Sequence, residues 1–127
     1  MMPRPVDVEA AVVAFLASAL AATVGTSRPA VTSWPLEGVL VRVQVVDGGP
    51  ARAVVLDDAV LSVEVWTADS VAAANVASQA CGLLDDWQGS GGVLVYAASA
   101  SRPRSVPDPV TQSPRYLFTV SVTARRI

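Results

Sequence analysis

The sequence predicts an α+β fold: a single sheet of about four strands, mostly antiparallel, with two helices packed on one face. Three observations carry this. Val8, Ala11, Val12, Phe15, Leu16, Ala19 and Leu20 recur at helical spacing. "VLVRVQVV" (39–46), "AVLSVEVW" (59–66), "VLVYAAS" (93–99) and "RYLFTVSVTA" (115–124) are short runs of strand character, the second and fourth alternating most regularly. Between the second and third of these lies an Ala-rich stretch of helical type, so a strand, a helix and a strand follow in order and allow a crossover.

The first helix starts after Pro5 with Asp7 favourable in its first turn, and Gly25 is its expected C-cap. "TSRPAVTSWPLEG" (26–38) is kept irregular by its prolines. In the first strand Val39, Val41, Val43 and Val45 share one face, with Arg42 and Gln44 opposite. "DGGP" (47–50) is a turn, and "ARAVVLDD" (51–58) reads as a short strand or an extended connection. In the next strand Leu61, Val63 and Val65 oppose Ser62 and Glu64, and this strand and the first form a hairpin.

The second helix is expected over 67–87, capped by Thr67 or Asp69. Its inner stripe is expected to be Val71, Ala74, Ser78, Cys81 and Leu83 or Leu84. "QGSGG" (88–92) ends it. The last strand sets Tyr116, Phe118, Val120 and Val122 against Leu117, Thr119, Ser121 and Thr123. Residues 1–5 are read as a tail, 100–114 as a Pro-rich loop, and 1–127 as one domain without internal repeats.

Composition narrows the function. Only 16% of residues are charged, against about 25% in ordinary soluble domains. With 52% hydrophobic residues, this points to apolar surface that subunits cover for one another. The rival reading is an Ala-rich composition that makes no patches. A net charge of −2 without a basic run gives no electrostatic basis for nucleic-acid binding. The segment 10–24 resembles a signal-peptide core, but Asp7 and Glu9 outweigh Arg4 before it, and it is short of a membrane span.

Catalytic chemistry finds little footing. His and Lys are absent, and Cys81 is the single cysteine, which rules out an internal disulfide and a Cys-based metal site. Ser and Thr have no evident activating partner. "GSGG" (89–92) follows a helix and precedes a strand, the reverse of a phosphate cradle. The pairs Asp57–Asp58 and Asp85–Asp86 diverge on a strand or a helix, so they read as solvated turn and helix-end residues. No catalytic residue, metal site or cofactor is expected, and the chain reads as a non-enzyme.

Trp34, Trp66 and Trp87 each sit beside a turn, as interface anchors or as plugs of the core; Trp34, among prolines, leans to interface. The loop 100–114 holds Pro103, Pro107, Pro109 and Pro114 with Arg102, Arg104 and Asp108. Structureless loops of that length in a compact domain are uncommon and usually functional or disordered. We expect this one to be mobile alone and ordered by a neighbouring subunit.

The chain resembles the tail terminator proteins of long-tailed, lambda-like bacteriophages. The similar features are the N-terminal helix and strand pair, and "VEVWTADSVAAANVASQACGLL" (63–84), a strand turning into an Ala-rich helix. They continue with a loop containing "VPD" (106–108) and then "RYLFTVSVTAR" (115–125). The likeness runs over nearly the whole chain as a pattern of elements. It implies a homohexameric ring that caps the completed tail tube and then receives the head, and so a virion protein at the head-proximal end of the tail, assembled in host cytoplasm. Its partners would be sister copies, the tail tube protein and a neck or head-completion connector, with no membrane and no sequence-specific nucleic-acid contact. The resemblance sends the loop to a neighbour or the lumen, and makes Arg115 and Tyr116 the point where loop becomes strand, the Arg pairing with a carboxylate such as Asp108. With Trp34, Arg102 and Arg104 these are the expected interface residues. Alternatives are another head–tail connector, or an α+β domain using its sheet face to bind a small molecule.

Overall fold

The computed structural model describes residues 7–20, 22–26, 38–48, 57–89 and 93–126. Trp34 and most of the ambiguous 51–58 stretch lie outside them. The element order is α1 (Val8–Ala19), β1 (Thr23–Gly25), β2 (Leu40–Gly48), β3 (Asp57–Trp66), α2 (Ser70–Leu84), β4 (Val93–Ala100), β5 (Arg104–Ser105) and β6 (Arg115–Arg126).

Among the described residues the sheet has six strands, not four, in the order β1-β2-β3-β6-β4, with β5 also on β6. The expected hairpin is there: β2 and β3 pair antiparallel, Val43 opposite Val63. β6 enters between β3 and β4, antiparallel to both, so α2 carries the chain across one intervening strand. Among the described strands only β1 breaks the antiparallel pattern, lying parallel to β2 with Thr23 opposite Leu40.

β1 overturns the expected end of the first helix. α1 stops at Ala19, with Leu20 as its C-cap, and Gly25 belongs to a strand. Thr23 and Val24 are β-branched and satisfy their backbone better by pairing, as Thr23 N–H does with Val39 O at 3.0 Å. The start of α1 follows the acid: Asp7 accepts from Ala10 N–H at 2.9 Å.

Alternation along the strands sends one face inward. Val41, Val43, Leu61, Val63, Val65, Phe118, Val120 and Val122 are buried together with Val12 and Leu16 of α1 and Ala77, Ala80 and Leu84 of α2. Both helices therefore cover the same side of the sheet. The buried row of α2 differs from the expected stripe: Ala73, Ala77, Ala80 and Leu84 face in, while Val71 is 64% exposed and Ser78 is exposed. Small side chains let the α2 backbone lie close to the sheet, as the sequence suggested, but the row that does so is turned to Ala73, Ala77 and Ala80, with Leu84 of the two candidate leucines closing it. Asp69, not Thr67, caps the helix, accepting from Val71 N–H at 3.0 Å.

Two register shifts bend the sheet. In β2 one falls between Val45 and Asp47, and in β4 between Val95 and Ala97, leaving Val46 and Tyr96 as the extra residues. The first is pinned from α1, where Glu9 Oε2 accepts from Val45 N–H at 2.8 Å.

The outer edge of β4 is closed by the turn after α2. Asp86 N–H donates to Ala98 O at 3.0 Å, Val95 N–H to Gln88 O at 3.2 Å, and Ala100 N–H to Asp85 Oδ1 at 3.1 Å. These bonds occupy backbone groups that an edge strand otherwise offers to another chain. Asp85 and Asp86 thus act on the backbone.

Candidate functional site

The helix-free face of the sheet carries the polar side chains, and one end of it is built around Trp66. The same alternation that buries Val63 and Val65 turns Glu64 and Trp66 to this outer face, beside Arg42 of β2 and Arg115 of β6. Glu64, only 6% exposed, takes Arg42 Nη2 at 2.6 Å on Oε1 and Arg115 Nη1 at 3.0 Å on Oε2. Both guanidinium groups lie over the Trp66 ring, at 5.3 Å and 5.8 Å from its centroid. One buried acid thus holds two cations that stack on one fully buried indole.

The Pro-rich loop closes over this cluster. Asp108 Oδ2 accepts from Trp66 Nε1–H at 2.9 Å, and Oδ1 accepts from Val110 and Thr111 N–H at 2.8 and 3.2 Å. The main chain of Asp108 closes the turn, its N–H donating to Ser113 O and its O accepting from Gln112 N–H. Gln112 takes φ of 59°, a left-handed residue that completes the reversal. At the loop base Val106 N–H donates to Arg115 O, and Arg115 Nε–H returns to Val106 O at 2.8 Å.

The segment expected to be structureless is therefore folded on the body of its own chain. Ala100 ends β4, and Ser101 N–H donates to Thr119 O at 2.8 Å. β5 then pairs with β6, Arg104 opposite Leu117. The proline spacing pointed to irregular chain; it carried no sign of a buried indole waiting for an acid. The Arg115 partner also differs from expectation: it is Glu64, while Asp108 accepts from Trp66.

Of the six residues expected at an interface, the structure brings Asp108, Arg115 and Tyr116 together at this end of the sheet. Asp108 is 2% exposed and half-buried Arg115 is held by Glu64, so both support the loop from beneath. Tyr116 faces the helices and packs against the core. Arg102 and Arg104 are exposed beside a recess of about 310 Å³ formed with Leu117 and Thr119. Trp34 lies outside the described residues. The sequence reading missed Glu64 and Trp66 as the centre of the arrangement. Glu64, a lone acid on the polar side of an alternating strand, was the available signal.

Of the other two tryptophans, Trp66 is buried on the helix-free face beneath the loop, and Trp87 plugs the core. Trp87 is buried with its ring 5.6 Å from Phe15, joining the end of α2 to α1. Cys81 is half-buried, its thiol donating to Ser101 O at 3.3 Å, and burial followed by the charge of Asp85 pushes its pKa above the ordinary thiol value.

A second recess, about 430 Å³, lies toward the far end of the sheet, lined by Val60, Ala97, Ala98, Ser99, Ser121 and Thr123 among others. Asp58 at its rim accepts from Thr123 Oγ1 at 2.6 Å. Among the described residues no group of three or more acidic or Cys side chains is placed to hold a metal ion, and no helix is long and apolar enough to cross a membrane.

This fold is shared with a solved virion chain. A chain in the structure of the "virion of native gene transfer agent (GTA) particle" superposes with a TM-score of 0.62 at 19% identity, covering 92% of this chain and 93% of that one. At that identity the likeness is one of fold. No protein-family model and no curated protein matches the chain.

Proposed function

We propose that this protein is a structural virion subunit, and within that class a tail terminator: a subunit of a ring, most simply a hexamer, that caps the tail tube and offers the head-joining surface. The observation that carries the reading is the near end-to-end likeness to a chain of a gene transfer agent virion, which spans 92% of this protein. The sequence resemblance to tail terminators points the same way. The geometry suits such a role, since its polar groups hold backbone and loop in place. Buried Glu64 and Asp108 are spent on the strand ends and the loop, as expected of a subunit whose work is to present rigid surfaces.

On this reading the protein acts at the head-proximal end of the tail and meets its tube and connector partners in host cytoplasm during assembly. The test is tube growth. Added to polymerising tail tube protein of the same virus, the chain stops elongation and is found at one end of each tube. Binding to heads or neck with no effect on tubes would transfer the assignment to another head–tail connector.

A further inference from the structure

The Pro109–Val110 tip of the loop is the most exposed large hydrophobic point among the described residues, Val110 being 70% accessible. It is also held with unusual care. Asp108 fixes Val110 N–H and Thr111 N–H through one carboxylate oxygen and is itself anchored to Trp66 through the other. Pro107 and Pro109 restrict φ on either side, and Thr111 Oγ1 lies 3.0 Å from Ser113 Oγ within the turn. An apolar tip ordered before it meets a partner loses little conformational entropy on docking. We propose that this tip is the contact between neighbouring copies, seated in the recess formed by Ala97, Ser99, Ser121 and Thr123 of a second copy; the inference rests on the ring reading above.

Charge and placement select that occupant. From Val106 to Thr111 the loop carries a single charged residue, Asp108, and it is buried beneath the tip. The recess is lined by alanine, valine and hydroxyl side chains, with Asp58 already bonded to Thr123. An uncharged tip meets a hollow whose one lining carboxylate, Asp58, is already engaged by Thr123, whereas an acidic segment would lose water there and face a like charge.

Loop and recess also lie at opposite ends of the same helix-free face. Ser121 stands six residues beyond Arg115 in β6, roughly 20 Å at strand rise. No copy can fill its own recess, so the contact is head-to-tail and, where the rotation closes, makes a ring.

The test uses the full chain with Cys81→Ala, carrying Val110→Cys in one preparation and Ser121→Cys in another. Mixed and oxidised, the two give a disulfide-linked pair, and a chain with both cysteines gives a ladder of covalent oligomers. Val110→Asp, at an exposed tip, keeps the thermal midpoint but weakens self-association about tenfold. Links only between two Val110→Cys copies would mean a two-fold contact and overturn the proposal. Rings that survive Val110→Asp and never link 110 to 121 would overturn it while leaving the ring reading intact. A chain that stays monomeric even beside tail tubes would remove the ring reading, and this contact with it.

Discussion

Trp66 and Asp108, forty-two residues apart in sequence, meet across a 2.9 Å hydrogen bond in which the buried indole N–H donates to a buried carboxylate. That bond sits at the junction of three things: the last residue of β3, the turn of the Pro-rich loop and the cation pair held by Glu64. Its consequences can be measured.

Asp108→Ala strands the indole N–H and releases two loop N–H groups. A buried donor left without its acceptor costs about 1–3 kcal/mol, so the urea midpoint falls accordingly. Amide exchange at Val110 and Thr111 rises toward that of open chain. Asp108→Asn keeps an acceptor oxygen and loses less.

Glu64→Leu leaves Arg42 and Arg115 partly buried with like charges facing each other over Trp66. Breaking a buried pair by removing one partner costs about 3–5 kcal/mol, and with side chains only 21% and 14% exposed both cations stay largely out of water. Arg42→Met together with Glu64→Leu recovers part of the loss, because fewer charges stay uncompensated. Denaturant unfolding of the single and double variants reads the difference.

Two glycines respond in opposite directions. Gly89 has φ of +93°, and a Cβ there would stand 2.2 Å from Val93 O, so Gly89→Ala forces the turn that closes the β4 edge to move. Gly82 lies inside α2 with nothing within 4 Å of the added carbon. Gly82→Ala therefore raises stability by about 0.5–1 kcal/mol. Thermal melts of the two variants should shift to opposite sides of the parent.

Cys81 reports the ground under the β4–β5 corner. Its raised pKa comes from burial first and Asp85 second, so alkylation follows a pH profile displaced to the alkaline side of a free thiol. The neutral thiol is the form the folded state favours. Its stabilising effect is complete below the unfolded pKa and is lost as pH climbs through the folded one. Asp85→Asn keeps the acceptor for Ala100 N–H, removes the charge and moves the profile part of the way back. A profile unchanged by that substitution would take Asp85 out of the account.

The strands were legible because period-two alternation is a local property: β2, β3, β4 and β6 lie where "VLVRVQVV", "AVLSVEVW", "VLVYAAS" and "RYLFTVSVTA" put them, within a few residues. β1 was not, since three residues are too few to show a period, and their parallel pairing with the next strand leaves no trace in their own pattern. The inner row of α2 was misplaced for a related reason. When most of a helix is alanine, the hydrophobic pattern hardly distinguishes faces, and packing distance to the sheet decides. The loop misled most. Its prolines announced irregular backbone, but what orders it is a side-chain contact forty-two residues away in sequence between Trp66 and Asp108, a relation no local pattern contains.

The central claim, that this chain is a ring-forming cap on a tail tube, is tested most directly by electron microscopy of purified protein mixed with tail tubes of the same virus. The account predicts a closed ring of copies at one end of each tube, and tubes that grow no further. Bare tube ends beside monomeric protein, with growth continuing at the same rate, would contradict it.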